Sequence, residues 1–114
     1  MITIYHNPRC SKSRQTLKLL KAQGIDPKIE LYLDNPPSAE NLSDLLVKLD
    51  IAADQLVRKN EAYYKENLKG MELSDNQLIQ AMIENPKLIE RPIVVAGDRA
   101  ALGRPPEAVL EIIE

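Results

Sequence analysis

The fold is decided by residues 2–33, ITIYHNPRCSKSRQTLKLLKAQGIDPKIELYL. Residues 2–5 alternate β-branched and aromatic side chains and predict a short strand, which the Asn7-Pro8 pair ends. A helical pattern follows, and Gly24 stands where the glycine after a helix C-terminus belongs. Residues 29–33 alternate apolar and polar side chains and predict a second strand. Strand, helix and strand make a βαβ unit, so we expect a parallel pair with a right-handed crossover.

The next half of the chain, about 38–85, predicts a run of helices. Ser38 is a good N-cap for the first of them. Ser74 with Gln77 three residues later is a capping box for the last, which Pro86 ends. Shorter helical pieces are predicted between these two, at residues 53–57 and 61–67.

The C-terminal part predicts a hairpin and a final helix. Residues 93–96 and 99–102 read as strands joined by a Gly97-Asp98 turn, and Pro105 or Pro106 starts the helix. The order β-α-β, helical insertion, β-β-α is the thioredoxin arrangement. We therefore expect an α/β, thioredoxin-like fold with a mixed four-stranded sheet, and the length of 114 residues predicts one domain spanning 1–114.

Composition excludes several classes of protein. The net charge is −2 with acids and bases interspersed, so neither nucleic acid nor an anionic membrane is expected as the main partner. There is no apolar run near 18 residues and no secretory pattern at the N-terminus, which favours the cytoplasm. One cysteine and one histidine cannot make an internal disulfide or a cysteine-rich metal site, so we expect no bound cofactor.

Cys10 is the candidate for chemistry. A lone cysteine is most often a small buried hydrophobe, but this one lies between a predicted strand and helix. The free N–H groups of residues 11–14 and the helix dipole would stabilise a thiolate there and would also form an anion pocket. Nearby positive charges would act in the same direction: Arg9, Lys12, Arg14 and, if protonated, His6.

Ser13 occupies the place of a second redox cysteine in the motif Cys-Ser-Lys-Ser. Cys10 therefore has no partner for an internal disulfide, and any redox cycle through it must finish on an external thiol. Ser13 either donates a hydrogen bond to the Cys10 sulfur or is an ordinary residue of the first helical turn.

Four blocks of the sequence together resemble the glutaredoxin-linked arsenate reductase (ArsC) family. The first is His6-Asn7-Pro8-Arg9-Cys10-Ser11-Lys12-Ser13-Arg14, with Leu17 after it. The resemblance extends along essentially the whole chain, and the co-occurrence of the blocks makes it specific. The other three blocks are residues 31–33 leading to Pro36-Pro37, residues 56–60, and residues 88–95 followed by Gly103-Arg104-Pro105.

The resemblance implies roles for individual residues. Cys10 matches the nucleophile, and Arg58, Arg91 and Arg104 match three oxyanion-binding arginines, whose guanidinium forks suit an anionic tetrahedral substrate. Arg14 is either a further anion contact or a charge on the helix surface.

Two further positions carry implied roles in preparing the thiol. His6 matches a residue that tunes the cysteine, although a histidine after a strand is often only a hydrogen-bonded structural residue. Ser13 matches a serine that helps to stabilise the thiolate. The Arg91-Pro92 bond matches the cis-proline of thioredoxin-like folds.

The implied activity is reduction of arsenate to arsenite. Arsenate or a similar oxyanion would be the substrate, glutathione the co-substrate and glutaredoxin the partner. Two alternatives are a non-enzymatic Spx-type regulator that binds RNA polymerase and a general glutathione-linked thiol module. Ser13 and the three arginines count against the regulator, because redox-sensing relatives of that type use Cys-x-x-Cys.

Overall fold

Four strands form one mixed sheet in the order β2-β1-β3-β4. The computed structural model describes residues 1–113 and places β1 at Ile2–Tyr5, β2 at Lys28–Glu30, β3 at Ile93–Ala96 and β4 at Arg99–Leu102. Strand β1 pairs in parallel with β2 and antiparallel with β3, which pairs antiparallel with β4. The predicted mixed four-stranded sheet of a thioredoxin-like fold is therefore confirmed.

Helix α1, Ser11–Ala22, connects β1 to β2 as predicted. It ends because Gly24 adopts a φ of 79°, and the Gly24 N–H donates to the Lys21 carbonyl at 3.0 Å. The core between this helix, the sheet and the C-terminal 3₁₀ helix, Pro106–Glu111, is made of fully buried side chains. They are Ile4, Leu20, Val94 and Val109.

The second predicted strand is wrong beyond Glu30. Strand β2 stops there, and the Leu31 carbonyl accepts hydrogen bonds from the N–H groups of Asp34 and Asn35, which form a turn. Tyr32 is only 2% exposed although it lies in this turn. The apolar pattern extends past the strand because Tyr32 is buried by tertiary packing, although it pairs with no neighbouring strand.

The chain divides into two compact units. The first contains Met1–Asn35 and the chain from Arg91 onward, and the second is Pro36–Glu90. The predicted helical insertion, about 38–85, falls inside the second unit. Its helices are α2 (Ala39–Leu49), α3 (Ala53–Leu56), a π-helix (Tyr64–Leu68), α4 (Asp75–Glu84) and a 3₁₀ helix (Pro86–Leu88).

Side-chain caps begin the two longer helices of the second unit where the sequence predicts them. The Ser38 hydroxyl accepts from the Asn41 N–H at 3.1 Å, and the Ser74 hydroxyl accepts from the Gln77 N–H at 3.2 Å. The Gln77 side chain returns the bond to the Ser74 N–H at 2.8 Å, which completes the capping box. Over residues 1–113, no helix is both long and apolar enough to cross a membrane.

Candidate active site

Cys10 is the N-cap residue of α1, with φ −94° and ψ 124°. Its carbonyl accepts the first helical bond from the Arg14 N–H at 3.0 Å. The preceding turn is closed by Asn7, whose backbone carbonyl accepts from the Cys10 N–H and whose side-chain oxygen accepts from the Arg9 N–H, each at 3.0 Å. Sequence reasoning took Asn7 only as a strand breaker, but asparagine bonding to the N–H two residues ahead is a recognisable turn signal.

The environment of the Cys10 thiol favours its ionised form. Burial, with 8% of the residue exposed, raises the pKa, but four stabilising contacts outweigh it and the pKa is lower than that of an ordinary cysteine. They are the Ser13 N–H, the charge of Arg91, the Lys12 N–H and a hydrogen bond from the Arg91 side chain. The expectation of a thiolate stabilised by a helix N-terminus is thus supported by specific donors.

The Ser13 hydroxyl has different partners from the one considered from the sequence. It lies 2.6 Å from His6 Nδ1 and accepts a bond from the Asn7 N–H at 3.0 Å. Both Ser13 and His6 are buried. The backbone N–H of Ser13 contacts the thiol, while its hydroxyl holds the end of β1 against the first turn of α1.

His6 is placed to stay neutral. Burial lowers the pKa of its imidazole, and the positive charges of Arg14 and Lys21 lower it further. At neutral pH a neutral ring adds no positive charge near Cys10, so the option of a protonated His6 is disfavoured. The arrangement assigns His6 a hydrogen-bonding part through Ser13.

Sheet pairing explains how Arg91 meets Cys10. Tyr5 in β1 pairs with Ile93 in β3, so the residues just after β1 and just before β3 lie at the same end of the sheet. Ile93 also pairs with Leu102, which brings Arg104 to that end. Arg104 Nη1 donates to the Arg91 carbonyl at 3.2 Å.

Two X-Pro bonds beside these arginines are cis. The cis bond predicted at Arg91-Pro92 is confirmed, and Arg104-Pro105 is a second one that the sequence did not indicate. Arg91 and Arg104, the two arginines of this unit with an implied oxyanion-binding role, thus each directly precede a cis-proline.

Arg14 is exposed, and its Nη1 donates to the Pro8 carbonyl at 2.9 Å. This bond ties the helix back to the turn before Cys10. Its positive charge lowers the pKa of the His6 imidazole.

Arg58 lies in the second unit, two residues after the end of α3. Its backbone N–H donates to the Leu88 carbonyl at 2.6 Å, beside an antiparallel bridge between Val57 and Ile89. Its Nη1 donates to Glu61 Oε2 at 3.0 Å, and its Nε lies 3.8 Å from Glu90 Oε1. The guanidinium is therefore held by two carboxylates.

Sequence reasoning missed both carboxylates. The spacing of Arg58 and Glu61, three residues apart, was a usable local signal. Glu90 offered none, because only the bridge between Val57 and Ile89 brings residue 90 beside Arg58.

The first unit therefore presents a largely buried cysteine with a lowered pKa, two backbone donors and a guanidinium in hydrogen-bond contact. Such a thiolate can attack the electrophilic centre of an oxyanion, while the N–H and guanidinium donors bind the oxygens of that oxyanion. Among the residues that the structure describes, no group of three or more His, Cys, Asp or Glu is placed to hold a metal ion.

Comparison with known proteins gives consistent matches along the chain. The model of the ArsC family matches residues 5–112. The chain is 57% identical to the Escherichia coli K12 protein YfgD over 114 residues, covering 98% of this chain and 96% of that protein. It is 51% identical to the arsenate reductase of Haemophilus influenzae, with 98% of each covered. The solved arsenate reductase of Vibrio cholerae superposes with a TM-score of 0.95 at 53% identity, covering 98% of this chain and 97% of that one.

Proposed function

Because this chain belongs to the ArsC family, we propose that it reduces arsenate with Cys10 as its own single nucleophile and with external thiols as reductants. The observation that carries the proposal is the contact of the Arg91 side chain with the Cys10 thiol at the N-cap of α1. One guanidinium at that position stabilises the attacking sulfur and offers further N–H donors to an anionic substrate.

The first step forms a bond between the Cys10 sulfur and arsenic. The thiolate attacks arsenate, and an arsenate oxygen leaves as water after taking up protons from solvent. The negative charge of the oxyanion is met by Arg91 and Arg104 and by the N–H groups of Lys12 and Ser13. Arg58 matches the family's third oxyanion-binding arginine and is proposed as a substrate ligand on that ground; within its own unit, Glu61 and Glu90 hold its guanidinium.

The reduction needs two electrons, and two external thiols supply them. Glutathione adds its sulfur to arsenic with loss of a second water. A glutaredoxin thiolate then attacks the glutathione sulfur, so that the electron pair of the arsenic–sulfur bond stays on arsenic, which becomes arsenic(III). The mixed disulfide leaves, and water displaces arsenite from Cys10 and regenerates its thiol.

The single cysteine supports this external route, because Cys10 has no second cysteine in the chain with which to close a disulfide. The reaction is proposed for the cytoplasm, where glutathione is abundant and thiols are kept reduced. The His6–Ser13 pair is proposed to hold the first turn of α1, and Arg14 to hold the turn at Pro8.

The test is arsenate-dependent oxidation of NADPH in the presence of glutathione, glutaredoxin and glutathione reductase. Cys10→Ser should abolish turnover. Arg91→Ala and Arg104→Ala should each lower kcat/KM by about 10- to 1,000-fold, in the range expected for loss of a charged donor at a reacting oxyanion. Arg99→Ala is the matched control, since Arg99 lies on β4 and donates to the Glu111 carbonyl at 3.1 Å.

Three outcomes would contradict the proposal. The first is no turnover by the wild-type protein, and the second is unchanged turnover in Cys10→Ser. The third is reduction of a glutathione mixed disulfide by this protein and glutathione without glutaredoxin, together with no arsenate-dependent turnover, which would favour a general thiol module.

A further inference from the structure

Gly103 requires glycine for a different reason from the other three glycines of the chain. Gly24, Gly70 and Gly97 have φ values of 79°, 82° and 65°, and a Cβ added to any of them would meet nothing within 4 Å. Gly103 has no such backbone requirement, but a Cβ there would overlap Thr16 Oγ1 and lie 2.7 Å from Pro92 Cγ. Its need is therefore one of space alone.

Thr16 lies on the helix that carries the thiol donors. It is fully buried, and its hydroxyl donates to the Lys12 carbonyl at 2.8 Å. The Lys12 N–H is one of the two backbone donors to Cys10. A shift of α1 at Thr16 would therefore move the donors relative to the rest of the site.

The other side of the contact belongs to the segments that carry the arginines. The Gly103 N–H donates to the Pro92 carbonyl at 2.9 Å, and Pro92 follows Arg91. The next residue, Arg104, donates to the Arg91 carbonyl at 3.2 Å. Gly103 thus joins both arginine segments at the point where they touch α1.

We propose that Gly103 and Thr16 are positioning residues, whose close contact sets the distance between the Arg91 guanidinium and the Cys10 thiol. The proposal deepens the proposed function and rests on it for the substrate. The positioning itself concerns the thiol and is measurable without arsenate.

The experiment measures the rate of Cys10 alkylation by iodoacetamide against pH. Gly103→Ala should separate the arginine segments from α1 and move the thiol pKa upward toward that of a free cysteine. Arsenate turnover should fall by about 10- to 100-fold, as expected when reacting groups are displaced by about 1 Å.

Two substitutions at Thr16 distinguish the effect of its volume from the effect of its hydroxyl hydrogen bond. Thr16→Ala leaves a gap and should also raise the thiol pKa, whereas Thr16→Val fills the same space and should not. In Gly103→Ala/Thr16→Ala the new methyl group enters the gap but still lies 2.7 Å from Pro92 Cγ, so the pKa and turnover should return part of the way toward wild type. Gly103→Ala/Thr16→Val should show no such return.

Gly97→Ala is the matched control for replacing a glycine, because it strains a positive φ in the β3–β4 turn but meets no neighbour. It should lower the melting temperature without moving the thiol pKa. All rates are compared at a temperature where circular dichroism shows each variant folded, and if Gly103→Ala is unfolded the Thr16 single variants carry the test.

The proposal is overturned if Gly103→Ala and Thr16→Ala leave the thiol pKa unchanged, or if the double alanine variant behaves no better than Gly103→Ala. If the variants shift the thiol pKa as expected but the wild-type protein does not turn over arsenate, the proposed function is contradicted and the positioning role of the contact stands.

Discussion

His6 Nδ1 lies 2.6 Å from the Ser13 hydroxyl oxygen, and both residues are buried. The same oxygen accepts the Asn7 N–H at 3.0 Å. A hydroxyl has one proton and two lone pairs, so these two bonds use much of its capacity. Ser13 therefore serves the thiol through its backbone N–H, and the hydroxyl fixes where that N–H points.

Replacing this hydroxyl should destabilise the protein. Ser13→Ala leaves the Asn7 N–H and the His6 ring without their partner in a buried place, which should lower the free energy of unfolding by about 1–3 kcal/mol. Urea unfolding followed by circular dichroism measures it. Ser11→Ala, at an exposed position two residues earlier, is the control and should change stability by less than about 0.5 kcal/mol. An equal loss of unfolding free energy in Ser13→Ala and Ser11→Ala would contradict the structural role of the Ser13 hydroxyl.

The pKa of His6 should lie below the roughly 6.5 of an unperturbed histidine. Its proton resonances are unambiguous because the chain has one histidine. Arg14→Gln removes a positive charge that lowers this pKa and should raise it, whereas Lys18→Gln, on the same helix, should leave it unchanged. A midpoint at or above 6.5 in the wild-type protein would refute the neutral ring.

The same shift predicts lower stability in acid. Because folding lowers the pKa of His6, the unfolded chain binds the proton more readily, and stability falls as the pH drops from about 6.5 through the folded pKa. Replacing His6 with Asn should remove this component from the pH dependence of unfolding. An unchanged slope in that variant would assign the acid sensitivity to other groups.

The Cys10 thiol should titrate below the roughly 8.5 of a free cysteine. Arg91→Gln removes both the charge and the hydrogen bond that lower the pKa, so the alkylation midpoint should rise. Arg91→Lys keeps the charge and should recover only part of the effect, because ammonium lacks the guanidinium fork. Arg99→Gln is the control, and a midpoint that responds equally to Arg99 and Arg91 would point to net charge alone.

The lowered thiol pKa also has a consequence for stability. The thiolate stabilises the folded chain above the unfolded pKa, and this contribution is lost as the pH falls through the folded pKa. Cys10→Ser should therefore flatten the stability profile in that window. A profile identical to wild type would contradict the shift.

Glu61 should restrain Arg58. The pair is partly exposed, so Glu61→Gln should cost less than about 1 kcal/mol of stability. If Arg58 binds an oxyanion, removing the competing carboxylate should strengthen arsenate binding measured by calorimetry. Glu66→Gln, at an exposed position of the π-helix, is the control. In an Arg58→Ala background the Glu61 change should have no effect, and a gain there would show that Arg58 is not the ligand involved.

Local spacing in the sequence was enough for the elements that depend on near neighbours. Ser74 and Gln77 predicted their capping box, Gly24 the end of α1, and Gly97-Asp98 the turn between β3 and β4, because each depends on residues a few positions apart. The placement of Cys10 at the start of α1 followed in the same way. Family resemblance, and not spacing, supplied the cis bond at Arg91-Pro92.

One local pattern was misleading and another left the kind of helix open. Residues 61–67 predicted a helical piece, and Tyr64–Leu68 is a helix there. It is a π-helix, in which the Lys69 N–H bonds to the Tyr64 carbonyl five residues back, and apolar spacing does not distinguish that winding from an α-helix. The strand pattern ran past Glu30 because Tyr32 is buried by packing in a turn.

The sequence by itself determined that one cysteine stands at a helix N-terminus, where backbone donors and the dipole favour a thiolate. Only the tertiary structure decided which groups reach it. Arg91 contacts Cys10 because β3 pairs with β1, and Gly103 approaches Thr16 because two segments distant in sequence pack without a Cβ between them. Contacts of this kind depend on strand register and close packing, which no spacing within a single segment encodes.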